Sequence, residues 1–188
     1  VSDVAGIVLA AGRSARAGRV KALDTLDGET WIARAVRAQR DAGVERVLVV
    51  LGEPHAARIA RALPEGVRWV RNPAPARGML SSLQVALAAS DAERVVVSLI
   101  DHPRVRASTV RGLIAALDAG ALVARPRFGG RRGHPYAIAG DAIRALREAP
   151  LDRSARDVLL GIVPALDVEV DDPGVLDDLD HLGRSSLG

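Results

Sequence analysis

Uninterrupted hydrophobic runs alternate along this chain with stretches in which apolar positions recur at helical spacing. The run Val4, Ala5, Gly6, Ile7, Val8, Leu9 has no polar position, which predicts a strand buried on both faces. The same reading predicts strands over 46–51 and 67–70, and the strongest one over 94–100. Between them, Trp31, Ile32, Ala35, Val36 and Ala38 mark a helix over 30–42 that Gly43 ends. Further helices are predicted over 54–63, with Pro54 near the first turn, and over 79–89 and 107–119. Strand and helix in regular alternation predict a parallel-rich sheet covered on both faces.

The rhythm changes after residue 121. A short strand over 122–124 precedes a basic, glycine-rich loop over 125–133, and 134–138 predicts another strand, a candidate antiparallel one. Helices over 141–147 and 154–161 follow, then a last strand over 165–170 and an acidic tail over 171–180. No internal repeat or low-complexity linker divides the chain, so a single domain over 1–188 is expected.

Composition narrows the classes. With 48% hydrophobic and 26% charged residues, the 188 positions suit a folded globular protein. The absence of cysteine excludes disulfides, thiolate zinc sites and a cysteine nucleophile. No signal-type segment is visible and no apolar run nears the roughly 18 residues of a membrane span. A cytoplasmic protein with no membrane partner is the expectation. The net charge is +3, yet every one of the 26 basic residues except Lys21 is arginine. Arginine-favouring codon usage accounts for the bulk of them. The aromatics Trp31, Trp69, Phe128 and Tyr136 are scattered and too few for a stacking platform, so no nucleic-acid partner is expected. Lys21 stands out against this background, because a compact ammonium does what a planar guanidinium does not.

Lys21 ends the segment with the most chemistry, residues 9–21, which directly follows the first strand. Ala10, Ala11, Gly12 and Gly18 let a backbone approach a ligand closely, and consecutive N–H groups in such a loop form an anion nest. Arg13, Arg16, Arg19 and Lys21 add positive charge. A triphosphate at the carboxyl end of a parallel strand fits this pattern. The spacing is neither that of a Walker P-loop nor that of the dinucleotide fingerprint.

This segment resembles the signature loop of nucleotidyltransferases with a glycosyltransferase-A-like fold, L-A-(A/G)-G-x-S-x-R-M-G-x-x-K. Leu9, Ala10, Ala11, Gly12, Ser14, Arg16, Gly18 and Lys21 match, and Ala17 replaces the methionine. Asn72-Pro73 with Gly78-Met79-Leu80-Ser81-Ser82-Leu83, then Asp101-His102-Pro103 and Gly133-His134-Pro135, are similar to segments of molybdenum-cofactor cytidylyltransferases and their relatives. The resemblance implies a three-layer α/β/α fold with a mostly parallel mixed sheet. It implies a nucleotide-binding half over about 1–103 and an acceptor-binding half over about 104–188. It also implies transfer of CMP from CTP to a phosphorylated acceptor, molybdopterin first among them, with Mg²⁺ as cofactor and a molybdoenzyme as client. Alanine at position 11 follows the cytidylyl version of the motif, L-A-A-G, where guanylyl relatives carry L-A-G-G. A guanylyl or sugar-phosphate transferase on the same scaffold, and a non-catalytic nucleotide-binding module, are the alternatives.

The candidate site residues follow. Leu9, Ala10, Ala11, Gly12, Arg13, Ser14 and Lys21 would bind the nucleotide, with Gly78, Ser81 and Ser82; capping of the next helix is the other role open to the two serines. Arg16, Lys21 and Asp101 would be catalytic. Asp101, where the strongest strand ends, and Asp180 in the tail would hold the metal, against a helix cap and a solvated tail as the plainer readings. His134 and Arg132 are candidates for the acceptor, although His134 also suits a structural role and the loop around Arg132 a hairpin. His102 is expected to orient the Asp101 loop, and His55 to lie on a helix surface. No histidine pair has zinc-like spacing, and no Gly-x-Ser-x-Gly elbow is present.

Overall fold

The computed structural model describes residues 3–12, 20–162 and 164–179. Its elements run β1 (Val4–Ala10), β2 (Thr25–Leu26), β3 (Glu29–Thr30), α1 (Trp31–Arg40), β4 (Arg46–Gly52), α2 (Ala56–Ala60), β5 (Arg68–Asn72) and α3 (Met79–Ala88). They continue with β6 (Arg94–Leu99), α4 (Ala107–Asp118), β7 (Val123–Phe128), β8 (Arg131–Arg132), β9 (Tyr136–Ala139), α5 (Asp141–Glu148), α6 (Ala155–Leu160) and β10 (Leu166–Glu169).

The main sheet has the order β10-β7-β9-β6-β1-β4-β5, with β8 beside β7. β1 is flanked by β4 and β6, both parallel to it, and β5 continues the parallel set beyond β4. Alternate side chains of β1 enter opposite layers, as the pleat requires. Val4, Val8 and Ala10 pack with Ile32 and Val36 of α1 and Val110 and Leu113 of α4. Ala5, Ile7 and Leu9 pack with Leu83 and Leu87 of α3, Leu146 of α5 and Val158 of α6. Both faces of β1 are therefore dry, and every position reads as hydrophobic. This is the three-layer α/β/α arrangement with a mostly parallel mixed sheet.

A polar side chain of α1 enters this core. Gln39 of α1 is fully buried, and its Nε2 donates to the Ile7 carbonyl at 3.2 Å and to Ser98 Oγ at 3.0 Å. The amide occupies the space a side chain at Gly6 would need, since a Cβ there would overlap Gln39 Oε1. Glycine inside a buried strand thus marks a close approach.

β9 is antiparallel to both β6 and β7, as expected of the strand after the basic loop, and lies inside the sheet. Two features depart from the sequence-based expectation. β2 and β3 form a separate antiparallel hairpin, unforeseen because each is only two residues long. The basic loop expected over 125–133 is mostly strand: β7 runs on to Phe128, and Arg127 and Phe128 pair with Arg132 and Arg131 of β8 across a turn at Gly129 and Gly130. Among the described residues no helix is long and apolar enough to cross a membrane.

Candidate active site

The parallel strands β1, β4 and β6 end on the same edge of the sheet. The chain leaves β1 for β4 through α1 on one face and reaches β6 from β5 through α3 on the other. A crevice opens where such crossovers diverge, beyond the carboxyl ends of the strands. Here it is a cleft of about 650 Å³, lined by Leu9, Ala10, Ala11, Gly12 and Lys21 after β1, Gly52 and Glu53 after β4, and Asp101 after β6. A cavity of this size suits a nucleotide-sized ligand.

Leu9, Ala10 and Ala11 are buried, while Gly12 is exposed. Gly52 packs against this loop so closely that a Cβ at position 52 would lie 2.6 Å from the Ala11 carbonyl oxygen. Lys21 opens a single 3₁₀ turn, Lys21–Leu23, that lines the cleft. Arg13, Ser14 and Arg16 lie outside the described residues.

The opposite wall begins at Asn72, the last residue of β5, which is 1% exposed. Its Nδ2 donates to Ser81 Oγ at 3.1 Å and Ser82 Oγ at 2.9 Å, and its Oδ1 accepts from the Ala74 backbone N–H at 2.9 Å. One buried amide thus fixes the turn between β5 and α3. Both serines lie in the first turn of α3 and are held by Asn72 rather than capping the helix. Ser82 lines the cleft as well. Gly78 sits at the cap position with φ +94° and ψ −176°, backbone that side-chain-bearing residues avoid. His55, expected on a helix surface, stands just before α2 and lines the cleft with Glu53, Pro75 and Met79. Glu53, His55 and Pro75 carry no sequence signal apart from following strand ends.

Asp101 follows β6, and its side chain keeps 27% exposure towards the cleft it lines. It caps no helix, since α4 starts only after Arg106. Its carbonyl accepts from the Leu179 backbone N–H at 3.2 Å, so the carboxyl-terminal segment returns to this strand end. Asp180, the next residue, lies outside the described residues. Asp172 anchors that segment: 1% exposed, it accepts from the Arg106 N–H (2.8 Å), Thr109 Oγ1 (2.6 Å) and the Gly174 N–H (3.0 Å). Arg104 pairs with Asp177 at 3.1 Å, and the His134 N–H donates to the Val175 carbonyl at 2.9 Å. What reads as an acidic tail is in this part a structural strap. Among the described residues no three His, Asp or Glu side chains converge on one metal position. The Asp101 carboxylate beside a nucleotide-sized cleft fits a hard cation that takes its other ligands from phosphate and water.

His134 and Arg132 do not line this cleft. The Arg132 Nε contacts Asp167 at 3.0 Å, and Arg125 binds the same carboxylate at 2.6 Å. The Arg125 hydrogen bond, against desolvation and with Arg132 assisting, holds the Asp167 carboxyl below the usual carboxylate range. Arg127 likewise pairs with Glu169 at 3.2 Å. The arginines of the expected acceptor loop therefore brace β7 and β8 against β10. His134 lies with its ring centroid 5.1 Å from His102 and 6.0 Å from Tyr136. Burial lowers its pKa to about 4, nearby His102 adds to the shift, and Asp178 opposes it. Burial raises the Tyr136 phenol above its ordinary value.

A family model described as a MobA-like NTP transferase domain matches residues 6–166. Nicotine blue oxidoreductase of Paenarthrobacter nicotinovorans is 35% identical over 144 residues, 72% of this chain and 70% of that protein. A probable molybdenum cofactor guanylyltransferase of Opitutus terrae is 36% identical over 107 residues, covering 57% of this chain and about half of the relative, 52%. Among solved structures, Rv0371c from Mycobacterium tuberculosis superposes with a TM-score of 0.81 at 29% identity, covering 95% of this chain and 96% of that one. Its complex with manganese gives 0.77 at 27% identity, covering 97% and 98%.

Proposed function

The chain belongs to the MobA-like NTP transferases, a family of nucleotidyltransferases, and on that premise we propose that it moves CMP from CTP to a phosphorylated small-molecule acceptor and releases pyrophosphate. The observation that carries the reading is the cleft itself. The Ala10 to Gly12 backbone, Lys21 and Asp101 arrive there from two neighbouring parallel strands and line one cavity. An anion nest, a cation and a metal-binding carboxylate are the groups that in-line attack on an α-phosphorus calls for.

In this mechanism an acceptor phosphate oxygen forms a new bond to the α-phosphorus, and the bond to the pyrophosphate oxygen breaks. The acceptor oxygen is already an anion, so no strong general base is needed. The backbone after β1, continued through Arg13 and Ser14, holds the triphosphate. Lys21 and Arg16 neutralise charge on the phosphates and on the departing pyrophosphate. Asp101, together with Asp180, would hold the divalent cation. A bound Mg²⁺ or Mn²⁺ supplies charge neutralisation on the α-phosphate. Gly78 and Ser82 form the wall facing the loop, and the acceptor enters from the side built by residues 104–188.

CTP is favoured by Ala11 in the L-A-A-G form of the loop. Molybdopterin as the acceptor, and a molybdoenzyme as the client receiving the product, are supported by the resemblance of residues 78–83, 101–103 and 133–135 to the cofactor cytidylyltransferases and by a relative named for molybdenum cofactor chemistry. The test is calorimetric titration of CTP, GTP, ATP and UTP with and without Mg²⁺, beside pyrophosphate release with molybdopterin. CTP preference that weakens in Lys21→Ala and Asp101→Ala supports the proposal. GTP preference replaces CMP by GMP. Triphosphate binding without turnover favours a non-catalytic nucleotide-binding module.

A further inference from the structure

β6 ends at Leu99 and α4 begins at Ala107, so Asp101 stands on a loop between regular elements. The loop's own backbone hydrogen bonds are long: the His102 N–H donates to the Leu99 carbonyl at 3.3 Å, and the Val105 N–H to the His102 carbonyl at 3.4 Å. Arg34 of α1 supports it from one side, its Nε donating to the Pro103 carbonyl at 3.0 Å. The carboxyl-terminal strap runs alongside it in the opposite direction. Asp101 meets Leu179 through their 3.2 Å backbone bond, and Arg104 meets Asp177 at 3.1 Å. Arg106 meets the start of the strap, its N–H donating to Asp172 Oδ2 at 2.8 Å and its Nη1 to the Asp171 carbonyl at 2.7 Å.

Two glycines show how closely the strap is seated. A Cβ at Gly174 would stand 2.5 Å from the Arg104 carbonyl oxygen, on the Asp101 loop. A Cβ at Gly133, in the segment between β8 and β9, would stand 2.2 Å from the Val175 carbonyl oxygen. Backbone therefore lies against backbone where the strap meets each neighbour, and no rotamer change could make room. Asp172 locks the same place with both carboxylate oxygens. Oδ2 accepts from the Arg106 N–H and Thr109 Oγ1, and Oδ1 accepts from the Gly174 N–H. One buried carboxylate thus joins the start of α4, and with it the end of the Asp101 loop, to the strap. Neither Asp172 nor Gly174 lines the cleft.

We propose that the strap sets the cation affinity of the cleft: Asp172 and Gly174 are positioning residues that hold the 101–106 loop and, through it, the Asp101 carboxylate. The inference rests on the reading of Asp101 as a cation-binding carboxylate. A displaced loop carries its carboxylate with it, and the outer supports of metal-binding groups are worth about 10–100-fold in metal affinity. The strap also leads on to Asp180, so the same seating serves both proposed carboxylates. The triphosphate nest and Lys21 follow a different strand, β1, and the strap holds neither through any bond described above. Metal-free triphosphate binding is therefore the internal reference.

The experiment is Mn²⁺ titration of the full chain with CTP present, read by electron paramagnetic resonance, beside calorimetric CTP titration without metal. The proteins are the wild type, Gly174→Ala, Asp172→Asn, Thr109→Val, Val158→Ala and Asp101→Ala, each checked for folding by thermal unfolding. Gly174→Ala and Asp172→Asn are expected to weaken Mn²⁺ binding by about tenfold or more, with metal-free CTP binding kept within about threefold of wild type. Thr109→Val keeps the side-chain shape and removes a single bond to Asp172. It should weaken Mn²⁺ by about threefold or more, and it decides the matter if the other two strap variants do not fold. Val158→Ala shortens a buried side chain of α6 in the layer of α3 and α5, and is expected to lose stability but bind Mn²⁺ as the wild type does. Three results overturn the proposal: wild-type Mn²⁺ affinity in the folded strap variants, a loss of metal-free CTP binding by the same factor as Mn²⁺, or an equal Mn²⁺ loss in Val158→Ala, which makes the effect one of stability alone. If Asp101→Ala binds Mn²⁺ as the wild type does, the underlying reading of Asp101 fails, and that result is distinct from the other three.

Discussion

Gly52→Ala probes the join between the fold and the cleft at a single atom. The added Cβ would stand 2.6 Å from the Ala11 carbonyl oxygen, 3.2 Å from Ala11 Cα and 3.3 Å from its carbonyl carbon. An ordinary carbon–oxygen approach is about 3.3 Å, so the end of β4 and the loop after β1 must part by roughly 0.7 Å. All three neighbouring atoms are backbone, and no rotamer change relieves the clash. Overpacking of this kind costs about 1–3 kcal/mol, and the displaced peptide leads directly into Gly12 at the proposed phosphate nest. A misplacement approaching 1 Å is worth up to about a hundredfold in rate, so a loss of at least about tenfold in triphosphate affinity or turnover is expected. Denaturant unfolding measures the first effect and calorimetric CTP titration the second. Gly12→Ala is the control for stability: its Cβ would meet nothing within 4 Å, and unfolding should change by less than about 0.5 kcal/mol. A Gly52→Ala protein as stable as the wild type, binding CTP equally well, would refute the reasoning.

Other perturbations follow from the same geometry. Asp172→Ala removes the acceptor for three donors at the base of the strap and should destabilise the protein by about 3 kcal/mol in urea unfolding; a change below about 1 kcal/mol would count against the anchoring role. Gly78→Ala places a Cβ in open space but at φ +94°, so it should cost about 1–3 kcal/mol through strain alone, and an unchanged melting temperature would contradict this. His134 binds a proton less readily folded than unfolded, its pKa falling from 6.5 to about 4 through burial beside His102 and Tyr136, with Asp178 opposing. Its contribution is therefore complete above about pH 6.5 and declines as pH falls towards 4, by on the order of 2–3 kcal/mol. Unfolding free energies of the wild type and His134→Gln should diverge across that interval, and parallel profiles would disprove the assignment.

The sheet and its covering helices were legible because their signals are local. β1, β4 and β6 lie in the middle of the sheet with both faces dry, so nearly every position is hydrophobic, and α1 and α4 repeat their apolar positions with the helix period. The cleft was half legible. The loop after β1 and Asp101 at the end of β6 follow strands that can be recognised, and strand ends are where ligands collect in such sheets. The remaining features depend on partners far away in the chain. Gly52 is glycine because Ala11 passes over it, Asn72 is buried to hold Ser81 and Ser82, and Asp172 is buried to hold Thr109, 63 residues earlier. A glycine-rich arginine stretch reads as an open basic loop until Asp167, on the neighbouring strand β10, takes up Arg125 and Arg132. Hydrophobic periodicity is written residue by residue, so the sequence by itself determined the layers and the strand that carries the loop. The pairing of polar groups across the fold depends on which segments the sheet order brings together, and only the tertiary structure decided that.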